Sequence, residues 1–130
     1  MAASENGARI RAGYESFNKG DIDGLIDLFD EDIVWSFPGA SKLAGEHIGR
    51  DAVLEALGAY GAASGGTLQA NVVDIMASDD HVTGWARDTG STDGRTLDLD
   101  SFVVFTMRDG KVTAAQHLVA DPDALDAFLA

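Results

Sequence analysis

The sequence predicts an α+β domain, with helices segregated from an antiparallel sheet. Three observations carry that prediction. Apolar residues recur at helical spacing in the first part of the chain. They alternate in strand fashion through most of the second half, between short turn-forming segments. The chain has 130 residues, which is one domain's worth, so residues 1–130 are read as a single unit. Helices followed by a run of strands define this class, and a curved sheet wrapped over the helices would enclose a cavity.

The elements follow in order. In "SENGARIRAGYESFNKG", Ile10, Tyr14 and Phe17 lie at i, i+4, i+7 on one helical face, and Asn18 and Gly20 supply a stop. Asp21 caps a second helix in "DIDGLIDLFDED", whose stripe is Ile22, Leu25, Ile26 and Phe29. "DIVWSF" reads as a short strand ended by Pro38-Gly39. "PGASKLAGEHIG" reads as a long loop, a kind that is often functional. "RDAVLEALGAYG" is a third helix with Val53, Leu57 and Tyr60 along one side. Strands are expected at about 67–78, 81–90, 95–107 and 111–119, separated by "SDD", "GSTDG" and "RDG". "DPDALDAFLA" closes the chain with an Asp cap, a Pro in the first turn and a Leu125, Phe128, Leu129 stripe.

Composition narrows the function. The formal charge is −13, from 22 acidic and 9 basic residues. Such a surface repels phosphate backbones and anionic membranes, so neither nucleic acid nor membrane is an expected partner. With no cysteine, there is no thiolate metal ligand, disulfide or cysteine nucleophile. The three histidines are far apart in sequence, so no metal site is expected, and no cofactor motif appears. The start, "MAASENGARI", lacks the apolar stretch of a secretory signal, and a cytoplasmic location is expected.

The layout and several phrases resemble the SnoaL-like and ketosteroid-isomerase-like proteins of the nuclear transport factor 2-like superfamily. The phrases are "FNKGDIDGLIDLFDEDIVWSFPG", "LAGEHIGRDAVLEAL", "DSFVVFTMRDGKV" and "VADPDALDAFL". The resemblance covers nearly the whole chain. It implies a cone-shaped barrel with an internal apolar pocket, often dimerised through the outer face of its sheet. It does not fix the activity, because the superfamily hosts isomerases, cyclases, hydrolases, ligand binders and association domains. The steroid-isomerase base would fall at Phe37, before Pro38, and its oxyanion-binding acid at about Val103, so both acids are absent. An epoxide-hydrolase cluster would need Arg87, Asp98 and Asp100 inside, whereas strand alternation turns the two aspartates outward. The cyclases of this resemblance carry an acid/base residue on the last strand, where His117 lies.

Which way His117 faces depends on a turn. On strand 95–107, Leu97, Leu99, Ser101, Val103, Phe105 and Met107 form the core set. If Asp109-Gly110 makes a tight turn, Arg108 pairs with Lys111 and His117 points away from the core. If Arg108-Asp109-Gly110 is a longer loop, Met107 pairs with Lys111, Ser101 opposes His117, and His117 faces in. The resemblance favours the inward register. An inward, desolvated imidazole stays neutral and can accept a proton. The competing reading is a core histidine satisfied by one hydrogen bond, for instance to Ser101.

The candidate site is therefore His117 as acid/base, with Tyr14, Phe17, Trp35, Phe37, His47, Val103 and Phe105 around a small apolar or aromatic ligand. His81 reads as solvated, and Trp85 as either pocket wall or interface. Two functions are expected: an acid/base isomerase, cyclase or lyase acting on a small apolar carbonyl compound, or a non-catalytic ligand-binding or association domain. A homodimer is expected through the outer sheet face, centred on Phe102 and Val104.

Overall fold

The computed structural model describes residues 1–130. The order is α1 (Ala3–Lys19), α2 (Ile22–Leu28), β1 (Phe29–Phe37), β2 (Gly45–Ile48), α3 (Arg50–Ala62), β3 (Gln69–Ala77), β4 (His81–Thr92), β5 (Arg95–Arg108), β6 (Lys111–Val119) and α4 (Pro122–Leu129). The strands form one six-stranded sheet in the order β2-β1-β6-β5-β4-β3. It is mixed: β1 and β6 run parallel and every other pair is antiparallel. The helices pack on its concave face, as the α+β reading expects, and no helix is long and apolar enough to cross a membrane.

Local chemistry explains most boundaries. Gly20 ends α1 in the left-handed conformation and returns its N–H to Phe17 and Ser16 carbonyls. Asp21 accepts from the Gly24 N–H, and Asp121 accepts from Ala124 at the start of α4. Asn6 is fully buried in α1, and its amide donates to the Ser78 and Asp79 carbonyls. This pins the β3–β4 turn to the first helix.

Two expectations need correction. Phe29 is not a helical residue. The second helix ends at Leu28, and Phe29 opens β1 in extended conformation, paired with Val112 of β6. The buried face of α2 is accordingly Leu25 and Leu28, while Ile22 and Ile26 are exposed. The segment read as a continuous loop contains β2, which pairs Gly45–Ile48 with Phe37–Val34. It is only four residues long and mostly exposed, so it carries none of the alternation that reveals a strand.

The β5–β6 hairpin follows neither of the two registers exactly as drawn from sequence. The tight turn forms: Arg108 pairs with Lys111, and Asp109 and Gly110 take φ of 52° and 76°. Taken alone, that register would turn His117 outward. However, Met107 pairs with Val112 and Thr106 with Ala114, so Thr113 is an extra residue on β6. This bulge moves the register by one and restores the facing. Val103, not Ser101, pairs with His117, and Ser101 pairs with Val119. The Thr113 hydroxyl donates to the Thr106 carbonyl across the bulge.

Candidate functional site

The concave face of the sheet and the first three helices bound a cavity of about 60 Å³, lined by Ile10, Gly13, Tyr14, Phe17, Leu25, Leu28, Phe29, Trp35, Leu57, Tyr60, Ala70, Asp88, Ser101, Val103, Phe105 and His117. One water needs about 10–15 Å³ of such space, so a small ligand fits and a larger one requires the wall to part. Phe17, Leu25 and Leu57 also line a wider outer groove of about 300 Å³ between the end of α1, α2 and α3. These three side chains therefore stand between the cavity and the groove.

The candidate residues separate into groups. Tyr14, Phe17, Trp35, Val103, Phe105 and His117 come together on the cavity wall. Phe37 does not line it: its ring is buried behind, with centroids 5.0 Å from His117 and 5.3 Å from Tyr60. His47 is also off the cavity. It lies on edge strand β2, and its Nε2 meets the Leu43 carbonyl at 2.7 Å. His81 is exposed at the start of β4. Trp85 faces outward, stacked on Phe102 with centroids 5.9 Å apart.

His117 is 6% exposed. Burial pushes its pKa down to about 4, so the ring is neutral near pH 7. Its Nδ1 accepts a long hydrogen bond, 3.4 Å, from the Trp35 indole N–H. Its Nε2 is buried with no partner. The expected bond to Ser101 is absent, because the Ser101 hydroxyl is committed elsewhere.

That commitment is to Asp88, which sequence reasoning missed. Asp88 is 2% exposed. Ser101 Oγ donates to its Oδ1 and the Tyr60 hydroxyl to its Oδ2, both at 2.8 Å. Burial raises its pKa, the two hydrogen bonds oppose that, and the net value is about 6. Tyr60 links the two polar groups, since its ring also lies 6.3 Å from His117. Burial and the charge of Asp88 push the Tyr60 and Tyr14 phenols far up, so both remain protonated donors. The Tyr14 hydroxyl is buried without a partner. It fits against β4 only because Gly84 has no side chain; a Cβ there would collide with it.

A sequence signal for Asp88 existed. Arg87 pairs across the sheet with Asp100, and its guanidinium bonds Asp98 at 2.7 Å and Asp100 at 3.3 Å on the outer face. Once Asp98 and Asp100 are read as outward, Arg87 belongs with them, and alternation sends Asp88 inward. Trp85 hid this, because the bulkiest residue of β4 lies on the outer face while Gly84 and Ala86 lie on the inner one.

Chemically, the cavity offers an ionisable carboxylate that keeps free lone pairs beside its two accepted bonds. It also offers a neutral imidazole with one unpaired nitrogen, an unpaired phenol, and otherwise apolar walls. No three His, Cys, Asp or Glu side chains gather as a metal-binding group.

Comparison with known proteins places this architecture. The SnoaL-like domain family matches residues 10–115, and the chain belongs to that family. Over 122 residues, 93% of each chain, it is 31% identical to the uncharacterised protein Rv0034 of Mycobacterium tuberculosis (strain ATCC 25618 / H37Rv). Bal32a, from a soil-derived mobile gene cassette, is 38% identical, with a TM-score of 0.95 over 98% of each chain. An NTF2-like protein of Burkholderia xenovorans LB400 is 27% identical, with a TM-score of 0.82 over 100% of this chain and 99% of that one. TerC, co-crystallised with polyporic acid, is 26% identical, with a TM-score of 0.84 over 96% of this chain and 98% of that one.

Proposed function

We propose that the domain binds a small apolar carbonyl compound in the cavity and moves a proton on it. Asp88, in place of the His117 expected from sequence, is the group that takes and returns that proton. The observation carrying this is a carboxylate buried in an apolar cavity and poised near pH 6. A base with a pKa near the working pH combines a large ionised fraction with real proton affinity. Asp88 removes a proton from the carbon beside the carbonyl. The C–H electron pair becomes a C=C bond, and the carbonyl π pair moves to oxygen. Return of the proton from Asp88 to the same carbon gives exchange, and its return to the far carbon of a conjugated enolate, as the oxygen's electron pair re-forms the carbonyl, gives an isomerisation; neither needs a cofactor. That TerC was crystallised with polyporic acid supports a small-molecule ligand for this fold.

The test is exchange of the hydrogens beside the carbonyl of cyclohexanone in deuterated buffer, followed by proton NMR. The protein should accelerate exchange and Asp88→Asn should not. Exchange unaffected by Asp88→Asn would remove Asp88 from the role.

A second reading, a non-catalytic ligand-binding or association domain, is favoured by the small cavity and by the bonds already made to both Asp88 oxygens. It predicts binding without exchange. Under either reading we also propose a homodimer through the outer sheet face, where Trp85, Phe102, Val104 and the half-exposed Leu118 form an apolar band.

A further inference from the structure

We propose that His117 serves the ligand as a neutral hydrogen-bond donor through Nε2–H, aimed at the carbonyl oxygen, and that Trp35 is the positioning residue that fixes this tautomer. The assignment rests on the carbonyl-ligand reading above and gives His117 a role other than base.

Trp35 decides which nitrogen of His117 carries the proton. An indole nitrogen can only donate. It meets Nδ1 of His117, so that nitrogen must be bare. A neutral imidazole has one proton, which is then on Nε2. Nε2 is buried, has no partner within the protein, and belongs to a cavity-lining side chain. An unpaired buried N–H is costly, and an acceptor arriving in the cavity removes that cost. Trp35 is itself held by ring contacts with Phe29 and Phe105, at 5.9 and 5.8 Å, so the lock is rigidly mounted.

The same wall selects the ligand's chemistry. A donor amid aromatic and aliphatic side chains suits one polar oxygen on an otherwise apolar molecule. A carboxylate ligand would share the cavity with ionised Asp88 and be repelled. An alcohol would have to meet two partners at once, this donor with its oxygen and Asp88 with its own proton, whereas a carbonyl needs only the donor. A ketone, aldehyde or quinone oxygen leaves nothing unpaired. As the carbon beside the carbonyl loses its proton to Asp88, charge grows on that oxygen and the bond from Nε2–H strengthens, while His117 keeps its proton. The Tyr14 hydroxyl, also buried and unpaired, lies against Gly84 of β4, so His117 is the donor the assignment uses.

The experiment uses the whole chain, labelled with ¹⁵N in histidine, and cyclohexanone labelled with ¹³C at the carbonyl. In the free protein at pH 7, His117 should show a protonated Nε2 and a bare Nδ1. Trp35→Phe should release the lock and move both nitrogens towards the averaged shifts of mixed tautomers. On binding, the carbonyl carbon should move downfield with wild type and with Asp88→Asn. It should not do so with His117→Phe, and should do so partially with His117→Gln, whose amide still donates. A proton on Nδ1 in the free protein overturns the assignment. So does a bound carbonyl whose shift is unchanged from solution, or is the same in His117→Phe as in wild type. Absence of saturable cyclohexanone binding at millimolar concentration overturns both this assignment and the reading it rests on. Hydrogen exchange in the same samples separates the two. A shifted carbonyl without exchange supports the donor and sinks turnover; exchange with an unshifted carbonyl does the reverse.

Discussion

The two faces of the β4–β5 hairpin hold the same functional group in opposite conditions. On the outer face Asp98 is exposed, and the Arg87 guanidinium holds its carboxyl below the usual range. On the inner face Asp88, next in sequence to Arg87, has no cation; burial raises it to about 6 despite two neutral donors. The backbone and the residue type are shared, so the difference is one of solvent and partner alone. A charge is cheap on the outside and costly on the inside. The inner carboxylate is therefore the one whose proton is negotiable near neutral pH, and the outer ones are surface charge.

The widest break in this comparison is Asp88→Asn. The variant keeps size and one acceptor but has no proton to exchange at neutral pH. We expect exchange of cyclohexanone to fall by about 10²–10⁴-fold, the usual contribution of a positioned acid or base. The wild-type rate should rise with pH through an inflection near 6, because the base must be ionised. A flat profile across that range would mean that Asp88 does not carry the proton.

Next is the outer face's own apolar patch. Phe102 lies at the centre of that face, stacked on Trp85. If two copies meet there, Phe102→Asp places a charge at the middle of the interface and should weaken association on the order of thirtyfold or more, as loss of a central aromatic does. Light scattering should move from twice the chain mass to the chain mass, with circular dichroism unchanged. A wild-type monomer at micromolar concentration would sink the dimer outright.

The inner face was only partly legible, and particular residues show why. Helical spacing located Ile10, Val53, Leu57 and Tyr60, all buried. Alternation oriented β5 correctly, since Leu97, Leu99, Ser101, Val103, Phe105 and Met107 are all buried. These signals work because burial of large apolar residues is itself what sets the period. They fail where something else decides. Phe29 has helix spacing but joins a strand, because parallel pairing with β6 claims it. The bulge at Thr113 has no glycine to announce it, so His117 faces inward for a reason absent from both registers considered. Asp88 is a charge at a position where the pattern looks for an apolar side chain, and its partners Tyr60 and Ser101 are distant in sequence.

The pH dependence of stability sharpens the contrast within the cavity itself. Asp88 has a raised carboxyl, about 6 when folded against 3.8 for an ordinary aspartate. Its contribution is thus fully present below pH 4 and is lost as pH rises through 6. His117 is lowered, about 4 when folded against 6.5. Its contribution is present above pH 6.5 and is lost as pH falls through 4. Between pH 6 and 4 the two slopes oppose each other. Asp88→Asn removes one of them, so relative to wild type it should gain about 1–3 kcal/mol on going from pH 4 to pH 7. Urea unfolding of the pair at each pH cancels the surface carboxylates they share. Parallel curves would mean that Asp88 is not buried as a charge.

The smallest effect belongs to the outer carboxylate, and its smallness is what the comparison requires. Asp98→Asn removes the partner that Arg87 meets at 2.7 Å, but the two side chains are 65% and 45% exposed, and Arg87 keeps Asp100 at 3.3 Å. Water already solvates both charges, so little stability rests on the bond, and salt screens what does. The urea midpoint at physiological ionic strength should stay within measurement error, and raising salt should leave wild type and variant equally affected. Proton exchange in the cavity should not change either, since the side chain is on the opposite face of the sheet. A clear loss of stability would require the Arg87–Asp98 pair to be out of water in solution. That happens only if a second copy covers it, so the loss should appear in wild-type background and disappear when Phe102→Asp is also present. An effect that persisted in the double variant would mean that the ion pair stabilises the protomer itself, and the distinction drawn between the two faces would be wrong.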